Sequence, residues 1–292
     1  MSLITADELL ARLASPELRI ADVRWWLADP GKGRRNYAAA HIPGAVFVDV
    51  DADLVAPIGP GRHPLPDPAA FVHRMEVLGI DDASDVVVYD DAGGTIAARL
   101  WWMLDDLGLP RVRVLDGGLA TWLGAGGPMT AEVPVLPPGH LSLRTAWTGT
   151  IDREVLAARL GTVQLLDARA GERYRGEVEP VDIVPGHIPT AISRPTASTL
   201  DREGRLLPAE RLRALLPADG DTVVSCGSGI TGCHLALAMR VAGLQTPLLY
   251  PGSYSDWVRA GLPVATGAEP GEVPAGLARA EAHEIADLEP RG

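Results

Sequence analysis

Short, unbroken apolar runs recur along the chain, each followed by a stretch with helical spacing. VVVY at 86–89 and TVVS at Thr222–Ser225 are rich in β-branched residues and lack polar alternation, the mark of strands covered on both faces. Apolar residues at helical intervals follow over 95–107 and 232–242. Strand–helix alternation of this kind predicts an α/β fold of small, mainly parallel sheets flanked by helices. In such open sheets ligands bind beyond the carboxyl ends of the strands, where loops lead into helices. Residues 90–95 and 226–231 occupy that position.

The pattern occurs twice. LRIADVR (18–24) resembles VQLLDAR (163–169), and HIPGA (41–45) answers HIPTA (187–191). DVVVYDDAGGT (85–95) aligns with DTVVSCGSGIT (221–231), and LDGGLATW (115–122) with YPGSYSDW (250–257). The offsets are 145 for Asp22 to Asp167, 146 for His41 to His187, 136 for Val88 to Val224 and 135 for Trp122 to Trp257. A period this long is a duplicated domain, not a solenoid repeat. The fall of ten between the second and third pairs places ten extra residues in the first copy, within DADLVAPIGPGRHPLP (51–66). The expected division is a first domain at 1–128, a Pro/Gly-rich linker at 129–148, a second domain at 149–266 and an acidic tail at 267–292. The tail reads either as disordered or as a short docked helix over 278–288.

Composition narrows the partners. Of the 292 residues, 47% are apolar and 22% charged, as in ordinary globular chains. Lys and Arg number 26 against 38 Asp and Glu, a net charge of −12, so nucleic acid and anionic membrane surfaces would be repelled. No apolar run approaches the roughly 18 residues of a membrane span. The N-terminal MSLITADELLARL lacks the basic–apolar–small order of a signal peptide, so a reducing cytoplasm is the expected compartment. Two cysteines, Cys226 and Cys233, are too few for a disulfide scaffold.

The chemistry concentrates in Cys226-Gly227-Ser228-Gly229-Ile230-Thr231. Two glycines allow a tight curl whose N–H groups form a nest for an anion, and the following helix start adds partial positive charge. Cysteines at helix starts are acidified, so Cys226 is expected to act as a thiolate nucleophile. The first copy has Asp90 in its place, and a carboxylate there marks the position as solvent-facing. Phosphate-ester hydrolysis would need an arginine six residues after the cysteine, where Gly232 stands. Sulfur transfer needs only a small cradle for a persulfide. Cys233 and His234 are too few for a metal site and read as packed helix residues. The pairs Trp25-Trp26 and Trp101-Trp102 read as core and interface packing. Asp22 and Asp167, each followed two residues later by arginine, read as fold-stabilising pairs.

With HIPGA, HIPTA, LDGGLATW and the cysteine loop in this order, residues 5–265 resemble the tandem-domain rhodanese-like sulfurtransferases. That resemblance implies two rhodanese-like domains, the first catalytically silent with Asp90 at the cysteine position, and the second carrying a Cys226 persulfide. The CGSGIT loop is similar to that of members preferring 3-mercaptopyruvate; thiosulfate-preferring members carry basic residues after the cysteine. It further implies Arg173 as a substrate-carboxylate ligand, Gly227–Thr231 as the persulfide and substrate cradle, and Ser228 as a group acting on the substrate carbonyl. His41 corresponds to a residue sometimes assigned to a relay with that serine, although the same placement of His187 argues for a structural turn. A second carboxylate arginine, expected after Glu179-Pro180, is replaced by Val181 and Asp182. The implied acceptor is a thiol, a thioredoxin-like protein or cyanide, with no metal or organic cofactor. A thiosulfate-preferring enzyme and a non-catalytic persulfide carrier or redox sensor are the alternatives.

Overall fold

The computed structural model describes residues 2–277; the helix candidate over 278–288 lies outside them. The first copy holds five parallel strands: β1 (Leu3–Ile4), β2 (Leu18–Asp22), β3 (Ala45–Phe47), β4 (Asp85–Tyr89) and β5 (Val112–Leu115), in the order β1-β5-β4-β2-β3. The second holds β6 (Gln164–Asp167), β7 (Ile192–Ser193), β8 (Thr222–Ser225) and β9 (Leu248–Leu249), ordered β7-β6-β8-β9. Matching strands occupy matching places, and Thr150, bridged in parallel to Leu249, stands where β1 stands in the first sheet. The duplication read from the offsets is therefore a duplication of topology.

The register is set by the buried runs. Val87 and Val88 face Ile20 and Ala21 across β4–β2, and Val223 and Val224 face Leu165 and Leu166 across β8–β6. All of β4 and all of β8 is buried, which is why neither run alternates. The helices that follow these strands, Ala97–Asp106 and Gly232–Val241, pack against each other across the boundary between the copies. One apolar cluster runs through this contact, with Trp101 and Leu104 from the first copy and Leu235 and Met239 from the second. The two loops at the ends of β4 and β8 are thus brought to a common seam.

The repeated Asp–Arg pairs lie inside each copy. Arg24 Nη2 meets Asp22 Oδ2 at 2.6 Å and donates to the Ala40 carbonyl at 2.8 Å. Arg169 makes the same bonds to Asp167 at 2.6 Å and to the Gly186 carbonyl at 2.7 Å. Each pair ties the end of a strand to the turn before the HIP motif, a structural task.

Candidate active site

Strand β8 ends at Ser225, and the next six residues curl before the Gly232–Val241 helix begins. The curl needs glycine at 229: φ is +80°, and a Cβ there would lie 2.4 Å from the Pro251 carbonyl oxygen. It turns the N–H groups of Ser228 and Gly229 onto Cys226 Sγ, at 3.4 and 3.1 Å. Behind the sulfur, the Cys226 N–H donates to Ser253 Oγ at 3.1 Å and its carbonyl accepts the Tyr254 N–H at 3.0 Å. Ser253 holds φ at +52°, a strained value for a residue with a Cβ, where the first copy has Gly118 at +59°. The serine hydroxyl that this strain positions is the one that grips Cys226.

The expected solvent-facing position is corrected by the burial. Cys226 is 2% exposed and Asp90 is 0% exposed. A carboxylate survives there because the loop itself solvates it. Asp90 Oδ1 accepts the N–H of Ala92 and Gly94, and Oδ2 those of Ile96 and Ala97, each at 2.8 Å. The nest inferred from the glycines thus holds an anion in the first copy.

Above the cysteine loop lies the ten-residue insert of the first copy. The Arg62 N–H donates to Ser255 Oγ at 3.0 Å, and Arg259 donates to the Gly61 carbonyl at 2.9 Å, so the second copy clasps the insert. His63 Nδ1 lies 2.7 Å from Ser228 Oγ, and its ring meets Trp25 in a T-shaped contact. Burial, reinforced by the charges of Arg62, Arg99 and Arg259, pushes the His63 imidazole down to about 4, so it is neutral at physiological pH.

Arg62 pairs with Asp182, whose other oxygen lies 3.2 Å from Arg173 Nη2. Arg173, at the end of the short Gly171–Tyr174 helix, also meets Glu179 at 2.7 Å. Burial works against the Glu179 charge, but Arg173 and the Asp182 and Val181 amides hold its carboxyl below the usual range. Both guanidinium groups face the cysteine loop. A methyl on Gly227 would come within 2.8 Å of Arg62 Nη2 and 3.6 Å of both Arg173 Nη atoms.

Comparison with known proteins agrees with this geometry. The rhodanese-like domain pattern matches residues 5–125 and again 152–260. The chain belongs to the rhodanese-like family. A Pseudomonas aeruginosa protein named "Probable 3-mercaptopyruvate sulfurtransferase" is 46% identical, the match covering 91% of this chain and 98% of that one. SseB of Mycobacterium tuberculosis, which carries a thiosulfate sulfurtransferase name, is 42% identical over 87% of this chain and 93% of its own. The crystal structure of SseA from Escherichia coli, described among 3-mercaptopyruvate sulfotransferases, superposes with a TM-score of 0.75 at 33% identity, covering 87% of this chain and all of that one. Sulfur transfer is common to these relatives, and this rhodanese-like chain is a sulfurtransferase.

Within the rhodanese-like site, one residue singled out from the sequence is absent. His41 does not reach Ser228. Its Nδ1 lies 2.7 Å from the Tyr37 carbonyl and its Nε2 3.0 Å from the Glu132 carbonyl, and its ring stacks on Tyr37. His187 stacks on Tyr174 in the same way, with Nδ1 2.8 Å from the Tyr174 carbonyl. Both are turn histidines, and the histidine on Ser228 is His63. Cys233 is a packed helix residue: burial pushes its thiol up to about 12, and it donates to the Gly229 carbonyl at 3.3 Å. Thr231 stands at the helix start without a capping bond from its side chain, and Ile230 is buried in the shared core. Sequence reasoning missed Arg62, His63 and Arg99. For Arg62 and His63 the available signal was the insert itself, which places an Arg-His pair where the other copy has no counterpart; for Arg99, on the Ala97–Asp106 helix, there was none.

Proposed function

We propose that the protein transfers sulfur from 3-mercaptopyruvate through a persulfide on Cys226. The observation that carries this reading is the pair of guanidinium groups, Arg62 and Arg173, that converge on Gly227 beside the nucleophile from opposite copies. Two forks of this kind suit the planar carboxylate of a keto acid. Arg62 then stands in for the second arginine replaced in the sequence by Val181 and Asp182. Asp182 holds the two guanidiniums together in the absence of donor, and the donor carboxylate takes its place or shares it.

In the first half-reaction the Cys226 thiolate attacks the donor sulfur. The S–S bond forms, the C–S bond breaks, and its electron pair passes to carbon as the enolate of pyruvate. The donor thiol proton ends on that carbon, leaving pyruvate and Cys226–S–S⁻. Ser228, backed by neutral His63, is placed to hydrogen-bond the enolate oxygen. In the second half-reaction an acceptor thiolate or cyanide attacks the outer sulfur and restores the Cys226 thiolate. Asp90 supports the cradle assignment: its carboxylate oxygens lie as many bonds from Cβ as the outer sulfur of a cysteine persulfide does. The first copy therefore displays an anion at the depth the persulfide would reach.

The test compares both donors on the intact protein. The expected result is kcat/KM for 3-mercaptopyruvate at least about tenfold above that for thiosulfate, with one added sulfur on Cys226 by mass spectrometry. Arg62→Gln should raise KM for 3-mercaptopyruvate about tenfold or more, as loss of a charge-assisted hydrogen bond of about 1.5–3 kcal/mol implies. Cys226→Ser should fold and transfer no sulfur. Thiosulfate as the better donor overturns the donor assignment; turnover by folded Cys226→Ser overturns the mechanism; persulfide formation without turnover makes the protein a carrier.

A further inference from the structure

Arg99 belongs to the first copy, on the Ala97–Asp106 helix, yet its guanidinium ends beneath the cysteine loop of the second. It is 0% exposed. Nη1 donates to the Gly229 carbonyl at 3.1 Å, and Nη2 to the carbonyls of Leu54 at 3.3 Å and His63 at 3.1 Å. Nε is buried with no partner, and no carboxylate pairs with the group among the described residues. A wholly buried guanidinium without a carboxylate is costly, and a neutral donor would serve three carbonyls at less expense. The retained charge asks for an anion nearby.

The candidates are few. Burial pulls the Arg99 guanidinium down from its ordinary range, and the Cys233 and Cys226 sulfurs pull it back up. Cys233, itself pushed up to about 12, stays protonated at neutral pH. That leaves Cys226. Around this loop also stand Arg62 and Arg173 at Gly227, Asp182 and Glu179 paired with them, His63 on Ser228, Arg259 at Gly61, and Tyr254 behind the Cys226 carbonyl.

The geometry also constrains the loop. In a trans peptide the C=O and N–H point in opposite directions. Drawing the Gly229 carbonyl toward Arg99 therefore turns the Ile230 N–H the other way. By the repeat alignment, Ile230 corresponds to Gly94, whose N–H donates to Asp90 at 2.8 Å. The contact with Leu54 and His63 fixes both ends of the insert to the same guanidinium.

We propose that Arg99 is a positioning residue supplied by the copy without a nucleophile. It holds the Gly229 peptide so that the cradle's N–H groups face the sulfur, and its unpaired charge stabilises the anionic sulfur of Cys226 as thiolate and as persulfide. The inference rests on Cys226 being the nucleophile and not on which donor it uses, so it is tested with a reagent that needs no donor site.

The experiment measures alkylation of Cys226 by iodoacetamide against pH, site-resolved by peptide mass spectrometry, beside kcat and KM with 3-mercaptopyruvate and thiosulfate. In Arg99→Gln the alkylation midpoint should move up by at least about one pH unit, and kcat should fall at least about tenfold with either donor, KM changing less than about twofold. Folded Arg99→Gln with the wild-type midpoint and kcat overturns the proposal. Arg99→Lys keeps the charge and loses the fork, and it decides the matter if the glutamine variant does not fold. Its midpoint should stay within about half a unit while kcat falls several-fold. A shifted midpoint in that variant rejects the charge role, and an unchanged kcat rejects the role in holding the loop.

Discussion

His63 and His234 are histidines held without charge. Burial pushes both down to about 4, in His234 against the pull of the Asp90 charge. The unfolded chain takes up these protons near 6.5, whereas the folded chain refuses them until about 4. Their contribution to stability is therefore complete above about pH 6.5 and is lost as the pH falls toward 4. A decline of a few kcal/mol over that window is expected, shared about equally between the two. Thermal midpoints from pH 7.5 to 4.5 check this, and His234→Gln should flatten the slope. At this scale Cys226 was legible because its loop is a local string of residues. Arg62, His63 and Arg99 were not, because their meaning lies in partners more than a hundred residues away, such as Ser228 for His63, and no local period encodes such a contact.

Among the elements, the paired strand–loop–helix units were legible wherever burial erased alternation. β8 matches the predicted run, and β4 adds only Asp85. The helix after β4 starts at Ala97 and not at the predicted 95, because Asp90 takes the N–H groups of Ile96 and Ala97 and bends the chain around its carboxylate. β1, two residues long, carries too little pattern to be read at all. The same bonds make a prediction. Asp90→Ala strands four donors, those of Gly94 and Ala97 buried, and should destabilise the protein by about 3 kcal/mol or more, lowering the thermal midpoint by roughly 6 °C or more. Because those donors lie in the copy without the nucleophile, kcat of the folded fraction should change less than about twofold. Calorimetry beside steady-state assays measures both, and an unchanged midpoint would refute the account.

For the whole molecule, the offsets revealed the duplication, but the position of the insert did not reveal its purpose. The ten extra residues of the first copy fold onto the second, where Arg62 meets Asp182 and His63 meets Ser228. Neither half contains the site. The cysteine and its curl come from one copy; the histidine, one of the two guanidiniums at Gly227 and the buried Arg99 come from the other. The consequence appears if every position is substituted and the variants are ranked by activity at fixed abundance. Such a map should show intolerance in two separate stretches, one around 226–231 and a second at Arg62, His63 and Arg99, inside the half that lacks the cysteine. At those three positions the half without the cysteine would be as little free to change as the half that carries it.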